Sequence, residues 1–289
     1  MGRDLVQIDD YDLNSFIRLA ARFGHARYSF VVTPNADHLI RLNDDRTFKQ
    51  MYSDAEFVLL DSRFVAHLLR LTRGVRLPVC TGSDLTARLL EEVVRPNDPI
   101  ILIGGSSEQA AMLARQYGLR QLVHYNPPMG FIHDSAAVDQ TLRFIEDHSP
   151  FRFCFLAVGA PQQEELARRL KVRGIARGLA LCIGASINFL TGSERRAPLW
   201  MQRAGLEWLY RLQQNPARMA HRYLVRCPRI FALLALAIIS LRPAAYLLPE
   251  RARVAVPRDD ERRSPPQPLR FRPLTASSPP ADARPSMQV

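Results

Sequence analysis

Short runs of β-branched and aromatic residues alternate with stretches of helical periodicity through the first 190 or so residues, and this alternation limits the fold more than any other feature of the chain. YSFVVT (28–33) leads past Pro34 into a helical pattern from Ala36 to Tyr52. EFVLLD (56–61) leads into FVAHLLRLTRG, where Phe64, Leu68 and Leu71 recur at helical spacing. In TGSDLTARLLEEVV, Ser83 is the expected N-cap, and PIILIGGSSEQAAMLARQYGL reads as a buried strand, a glycine turn and a helix. LVHYN (122–126), a helix from Ser135 to His148, the strand FRFCFLAVG and the helix after GAPQQE continue the series, and LALCIGASINFLTG closes it as a strand and turn. Strands separated by helices specify an α/β fold with a mainly parallel sheet. The 289 residues, 47% of them apolar, can bury one sizeable core and a small further module.

The character changes after Gly192. Residues 1–194 balance 22 Lys+Arg with 22 Asp+Glu, whereas residues 195–289 carry 17 against 6, so the whole formal charge of +11 lies in the last third. The chain therefore divides into an α/β domain (1–194), a basic helical appendage (195–249) and a Pro/Arg-rich tail (250–289) expected to be disordered. In the appendage, Asn215 and Pro216 are placed to start a helix on which Arg218, Arg222 and Arg226 recur every four residues, with Met219 and Tyr223 on an adjoining face. IFALLALAIISL, about twelve residues, is too short to cross a bilayer as a helix and is expected to lie on a membrane surface. An anionic partner should meet the protein here, and an anionic membrane fits better than nucleic acid, because Phe271 is the only aromatic residue beyond position 250. Cysteines at 80, 154, 182 and 227 form no CxxC, and the N-terminus has no signal-like apolar run, which together favour a cytoplasmic setting without a zinc site.

Ligands of open α/β sheets bind at the carboxyl edges of the strands, which makes Thr33, Asn35, Asp61, Thr81, Ser83, Gly104, Gly105, Ser106, Gln163 and Glu164 the first candidates. GGSSEQ (104–109) and GAPQQE each offer backbone N–H groups at a helix start, a phosphate-binding arrangement that serves equally as a helix cap. Neither GxGxxG nor GxxxxGK[ST] occurs. Asp10-Tyr11-Asp12 is formally a DxD but reads as a solvated turn or helix start, and Asp44 and Asp45 as an exposed face. Asp61, a lone carboxylate after an apolar strand, suits a general base or a helix cap. His38, His67 and His124 lack partner spacing and read as structural.

TPNADHL (33–39), VLLD (58–61), VCTGSDL (79–85), ILIGGS (101–106), NPPMGF (126–131), VGAPQQE (158–164), IGASINFLTG (183–192) and RRAPLWMQRAGLEWLYRLQQNPARMAHRYL (195–224) together closely resemble the WecG/TagA/CpsF glycosyltransferase family, over roughly residues 5–230. The resemblance implies a Rossmann-like catalytic domain with a C-terminal appendage that helps complete the site and touches the membrane. It further implies an inverting transfer of a hexose or N-acetylhexosamine-type sugar from a UDP-sugar to a polyprenyl-pyrophosphate-linked saccharide, in exopolysaccharide or cell-surface polysaccharide synthesis on the inner face of a bacterial membrane. By motif, Asp61 would be the base, Thr33 and Asn35 would position acceptor or donor sugar, and Gln163 would contact the donor. Gly104 to Ser106 and the Gly159 turn would hold UDP. No cofactor or metal is implied, so Arg196, Arg211, Arg218 and Arg222 would supply the positive charge the leaving group needs. Family members usually follow the acid with glycine, whereas this chain has Asp61-Ser62-Arg63, which leaves UDP-glucose, UDP-N-acetylmannosamine and its uronic acid open as donors. The altered triplet also suits an inactive membrane scaffold or UDP-sugar-binding protein of the same fold, and the hydrophobic surface that would meet the membrane is compatible with self-association.

Overall fold

A computed structural model describes residues 6–25, 27–214, 216–220, 228–231 and 239–242. Along the chain run β1 (Val6–Asp9), α1 (Leu13–Arg22), β2 (Tyr28–Val32), α2 (Ala36–Asp44), α3 (Arg46–Ser53), β3 (Phe57–Val58), α4 (Arg63–Arg73), α5 (Gly82–Arg88), β4 (Ile100–Ile103) and α6 (Ser107–Tyr117). There follow β5 (Leu122–Tyr125), α7 (Ser135–Asp147), β6 (Phe153–Leu156), α8 (Gln162–Arg173), β7 (Gly178–Cys182), α9 (Ser186–Leu190), α10 (Leu199–Arg203), α11 (Glu207–Gln214), α12 (Pro216–Ala220) and β8 (Ile239–Arg242).

Six strands form one sheet in the order β3-β2-β7-β6-β4-β5, every neighbouring pair parallel. Successive strand residues point to opposite faces, and both faces are covered, so the central strands are apolar throughout. Phe30, Val32, Ile101, Ile103, Cys154, Leu156, Ala180 and Cys182 pack with α2, α3, α4, α7 and α8. Val31, Ile100, Leu102, Phe153, Phe155, Leu179 and Leu181 pack with α1, α5, α6 and α9. At the β3 edge, the buried Asp9 carboxylate accepts from the Val58 N–H at 2.7 Å, giving that strand a partner on its outer side.

The expected helix over 36–52 is two helices. Asp45 takes an extended conformation (φ −119°, ψ 107°) and its carboxylate caps the second from the Phe48 N–H, ending α2 and starting α3. Thr81 rather than Ser83 caps α5: the helix begins at Gly82, so the Asp84 N–H falls to the Thr81 hydroxyl and Ser83 is buried in the first turn. Residues 186–190 form the short helix α9 where a turn was expected. The last three residues of the apolar run, with Arg242 after them, form a strand, Ile239–Arg242, paired in parallel with Val6–Asp9, which corrects the expectation of a helix there. Residues 232–238, the Arg222 and Arg226 positions with their helical face, Asn215, Cys227 and the tail from 250 lie outside the described residues.

Gly178 opens β7 at φ +129°, and a Cβ there would lie 2.1 Å from the Phe151 carbonyl oxygen. Gly178→Ala should therefore lower the unfolding free energy by about 3 kcal/mol or more, read from urea unfolding.

Candidate active site

A cavity of about 400 Å³ lies against the carboxyl ends of β3 and β2. One wall comes from Asn35 to Asp37, Asp61 to Phe64 and Thr81, and the other from Gln202, Gly205, Glu207, Trp208 and Arg211, with Pro228 and Phe231 beside them.

Asp61 reaches the cavity because backbone bonding continues past the short β3: the Leu59 N–H donates to Val32 O at 3.0 Å and the Asp61 N–H to Pro34 O at 2.9 Å. Ser62, not Asp61, caps α4, its hydroxyl accepting from the Val65 N–H at 3.1 Å. Enclosure by the surrounding protein pushes the Asp61 carboxyl up to about 7; the Arg211 charge and the Gly82 amide pull against that, and Glu207 and Asp84 reinforce it. A carboxylate tuned to that range can take a proton from a sugar hydroxyl near neutral pH.

The other candidates divide by position. Asn35 lines the cavity while its side-chain oxygen caps α2 through the Asp37 and His38 N–H groups. Thr33 is buried, its hydroxyl donating to Cys182 O at 3.3 Å and so joining the ends of β2 and β7. Gly82 stands between them: a Cβ on it would lie 3.1 Å from Thr33 Oγ1 and 3.6 Å from both Asp61 Oδ2 and Ser186 Oγ. Arg211 lines the cavity with its guanidinium over the Phe189 ring, 4.9 Å from the centroid. Arg196 and Arg63 both pair with Asp84, at 2.5 and 2.7 Å. Arg63, which follows Ser62, is thus an ion-paired part of the cavity wall. Arg218 lies on α12.

Gly104, Gly105, Ser106 and Gly159 lie elsewhere on the same edge. The connection after β4 runs outward to β5 and that after β6 runs inward to β7, which makes the β4/β6 boundary a topological switch point. Both glycine turns sit there, so close together that a Cβ on Gly104 would lie 2.9 Å from the Ala157 carbonyl. Ser106 caps α6 in a reciprocal box with Gln109, whose side-chain nitrogen also donates to Asn188, Thr191 and Ser193 at 3.1 Å each. Three strand spacings separate the Gly159 turn and four the Gly104 turn from Asp61, on the order of 14 and 19 Å along the edge. Gln163 and Glu164 are buried and do not line the cavity: the Gln163 amide donates to Glu164 and its oxygen accepts from the Gly184 N–H, both at 2.9 Å, bracing the turn after β7.

Four other polar residues singled out in the sequence make local contacts. Asp12 caps α1, Asp44 pairs with Arg229, His38 meets the Tyr52 hydroxyl, and His124 bonds the Gly104 carbonyl. Among the described residues no group of three or more His, Cys, Asp or Glu converges on a possible metal position. Gly82, Asp84, Ser186, Glu207, Trp208 and Phe231 were not candidates from sequence. All but Phe231 stand inside motifs already quoted, and their neighbours drew the attention.

Burial pushes the Glu164 carboxyl up to about 7 against the hydrogen bonds from Gln163 and its own backbone. Because its folded value is raised above its ordinary 4.5, ionisation favours the unfolded chain, and stability falls as pH rises from about 4.5 through about 7. Glu164→Gln should remove that loss, so thermal melts should show the variant gaining on the native protein between pH 5 and 8, by on the order of 3 kcal/mol at the alkaline end.

With a buried parallel sheet, an enclosed carboxyl beside Arg211 and a glycine-lined switch point in place, the comparison with known families adds one finding. The family model described as "Glycosyl transferase WecG/TagA/CpsF family" matches residues 4–244. The chain belongs to the WecG/TagA/CpsF family of glycosyltransferases.

Proposed function

We propose that the protein transfers a hexose or N-acetylhexosamine-type sugar, with inversion, from a UDP-sugar to a hydroxyl of a polyprenyl-pyrophosphate-linked saccharide in exopolysaccharide or cell-surface polysaccharide synthesis. The observation that carries this reading is the enclosed Asp61 carboxyl, raised to about 7, sharing a cavity with Arg211. Asp61 accepts the proton of the acceptor hydroxyl as its oxygen bonds to the anomeric carbon. The bond from that carbon to the UDP oxygen breaks on the opposite side, and UDP leaves with the electron pair. Arg211 offsets negative charge developing on the diphosphate, a role otherwise filled by a metal ion. Thr33 and Asn35 hold the sugar ring region, and the nucleotide extends along the strand ends toward Gly104 to Ser106 and Gly159, where helix N-termini and free turns favour an anion.

The lipid part of the acceptor is supported by a different observation. Leu199, Trp200 and Phe231 are large apolar side chains left mostly exposed, and Phe231 is also part of the cavity wall. A lipid-borne substrate entering there meets apolar surface first and the base second, which suits a protein lying on the inner face of a membrane. Among the described residues no helix is long and apolar enough to cross one.

UDP release should be measured with a panel of UDP-sugars and a short-chain polyprenyl-pyrophosphate saccharide, in the presence of EDTA. The native protein should release UDP with one donor, and Asp61→Asn should lose at least about a thousandfold in turnover while still binding UDP. Retained turnover in folded Asp61→Asn would remove the assigned base. In the native protein kcat/KM should rise with pH and level off above about 7, following the Asp61 carboxyl.

A further inference from the structure

Arg63, Asp84, Arg196 and Glu207 come from four separate parts of the chain and meet at one point beside the cavity. Asp84 on α5 is the centre: its two carboxylate oxygens accept separately from Arg196 Nη1 at 2.5 Å and Arg63 Nη2 at 2.7 Å, and Thr81 Oγ1 donates to it at 2.8 Å. Burial opposes the charge on Asp84, yet the hydrogen bond and charge of Arg196, with Thr81 and Arg63, outweigh it and hold the carboxyl down at about 2. Glu207, the first residue of α11, is reached by Arg196 at 3.4 Å and lies 3.9 Å from Arg63. Arg211 follows Glu207 by four residues and so shares its face of α11. The chain entering α11 is held just as closely, because a Cβ on Gly205 would lie 3.1 Å from the Phe64 backbone.

We propose that Asp84 is a positioning residue: by fixing Arg63 and Arg196 it clamps Glu207 and thereby sets Arg211, one turn further along α11, beside Asp61. The clamp rests on the assignment of Asp61 as the base. Its members carry two positive and two negative charges, so it holds α11 without adding net charge to the cavity. What it delivers is the Arg211 guanidinium.

The sign of one titration separates the clamp from a bystander. Asp61 faces Arg211 and Glu207 from α11, Asp84 and the Gly82 amide from the start of α5, Arg63 from α4, and the buried Tyr52 and Cys80. As nearby negative charges, Asp84 and Glu207 each raise the Asp61 value directly, so neutralising either one without moving α11 must lower it. If the clamp positions Arg211, the same substitutions release that cation and the value must rise. The Asp61 carboxyl is therefore titrated by carbon-13 NMR in the full chain without substrate, for the native protein, Asp84→Asn, Glu207→Gln and Arg211→Gln, with Asp61→Asn identifying the resonance. The expected result is an upward shift of about one pH unit in Arg211→Gln, the lower end of what one opposing charge supplies, and a smaller upward shift in Asp84→Asn and Glu207→Gln, where the lost negative charge offsets part of the rise. In the Arg211→Gln background, Asp84→Asn should no longer raise it. A downward shift, or none, in folded Asp84→Asn or in folded Glu207→Gln overturns the proposal; where Asp84→Asn does not fold, Glu207→Gln decides alone. The titration needs no donor or acceptor, so a native protein that transfers no sugar counts against the proposed reaction and leaves this result standing.

Discussion

A parallel sheet covered by helices on both faces leaves polar chemistry one outlet, the ends of the strands. Here the interior is so thoroughly apolar that the groups able to act on a substrate gather along a single edge, from Asp61 beyond β3 to Gly104 beyond β4. The sheet thereby does more than support the site. It lays a line of positions at regular spacing, with Asp61 toward one end and the glycine turns after β4 and β6 toward the other.

Enclosure and charge set the behaviour of the two key carboxyls in opposite ways. Asp61 and Asp84 both feel a burial penalty, but Asp84 has two arginines and a threonine bonded to it, whereas Asp61 has Arg211 and one amide acting on it against two nearby carboxylates. One is therefore a permanent anion suited to holding structure, and the other a group that exchanges its proton near neutrality. Their separation of roles comes from the number of donors each meets, since the residue type is the same.

The order of strands and helices from residue 28 to about 190 was legible because buried parallel strands must be short, apolar and separated by amphipathic helices, whereas the first strand and helix, Val6–Asp9 and Leu13–Arg22, were not read. Local conformations were harder: the break at Asp45 and the cap at Thr81 turn on one side chain choosing one N–H, which periodicity does not record. Asp61 stood out since a carboxylate ending an apolar strand has few structural uses. Asp84 and Glu207 did not, because their role exists only once α4, α5 and α11 are folded together. The motif of Gln163 and Glu164 marks an edge of the sheet, but periodicity does not record that both side chains are buried and bonded to each other there. The strand at Ile239–Arg242 was hidden by composition, as its apolar run also suits a helix.

The pairing of Val6–Asp9 with Ile239–Arg242 joins the first described residues of the chain to the last. A ribosome adds roughly 5–20 residues per second, so β1 emerges on the order of ten to fifty seconds before its partner exists. Through that interval the six-stranded sheet can form behind it, while Pro228 and Phe231 of the cavity wall have yet to be made. Asp61 is thus in place before the wall that encloses it is complete.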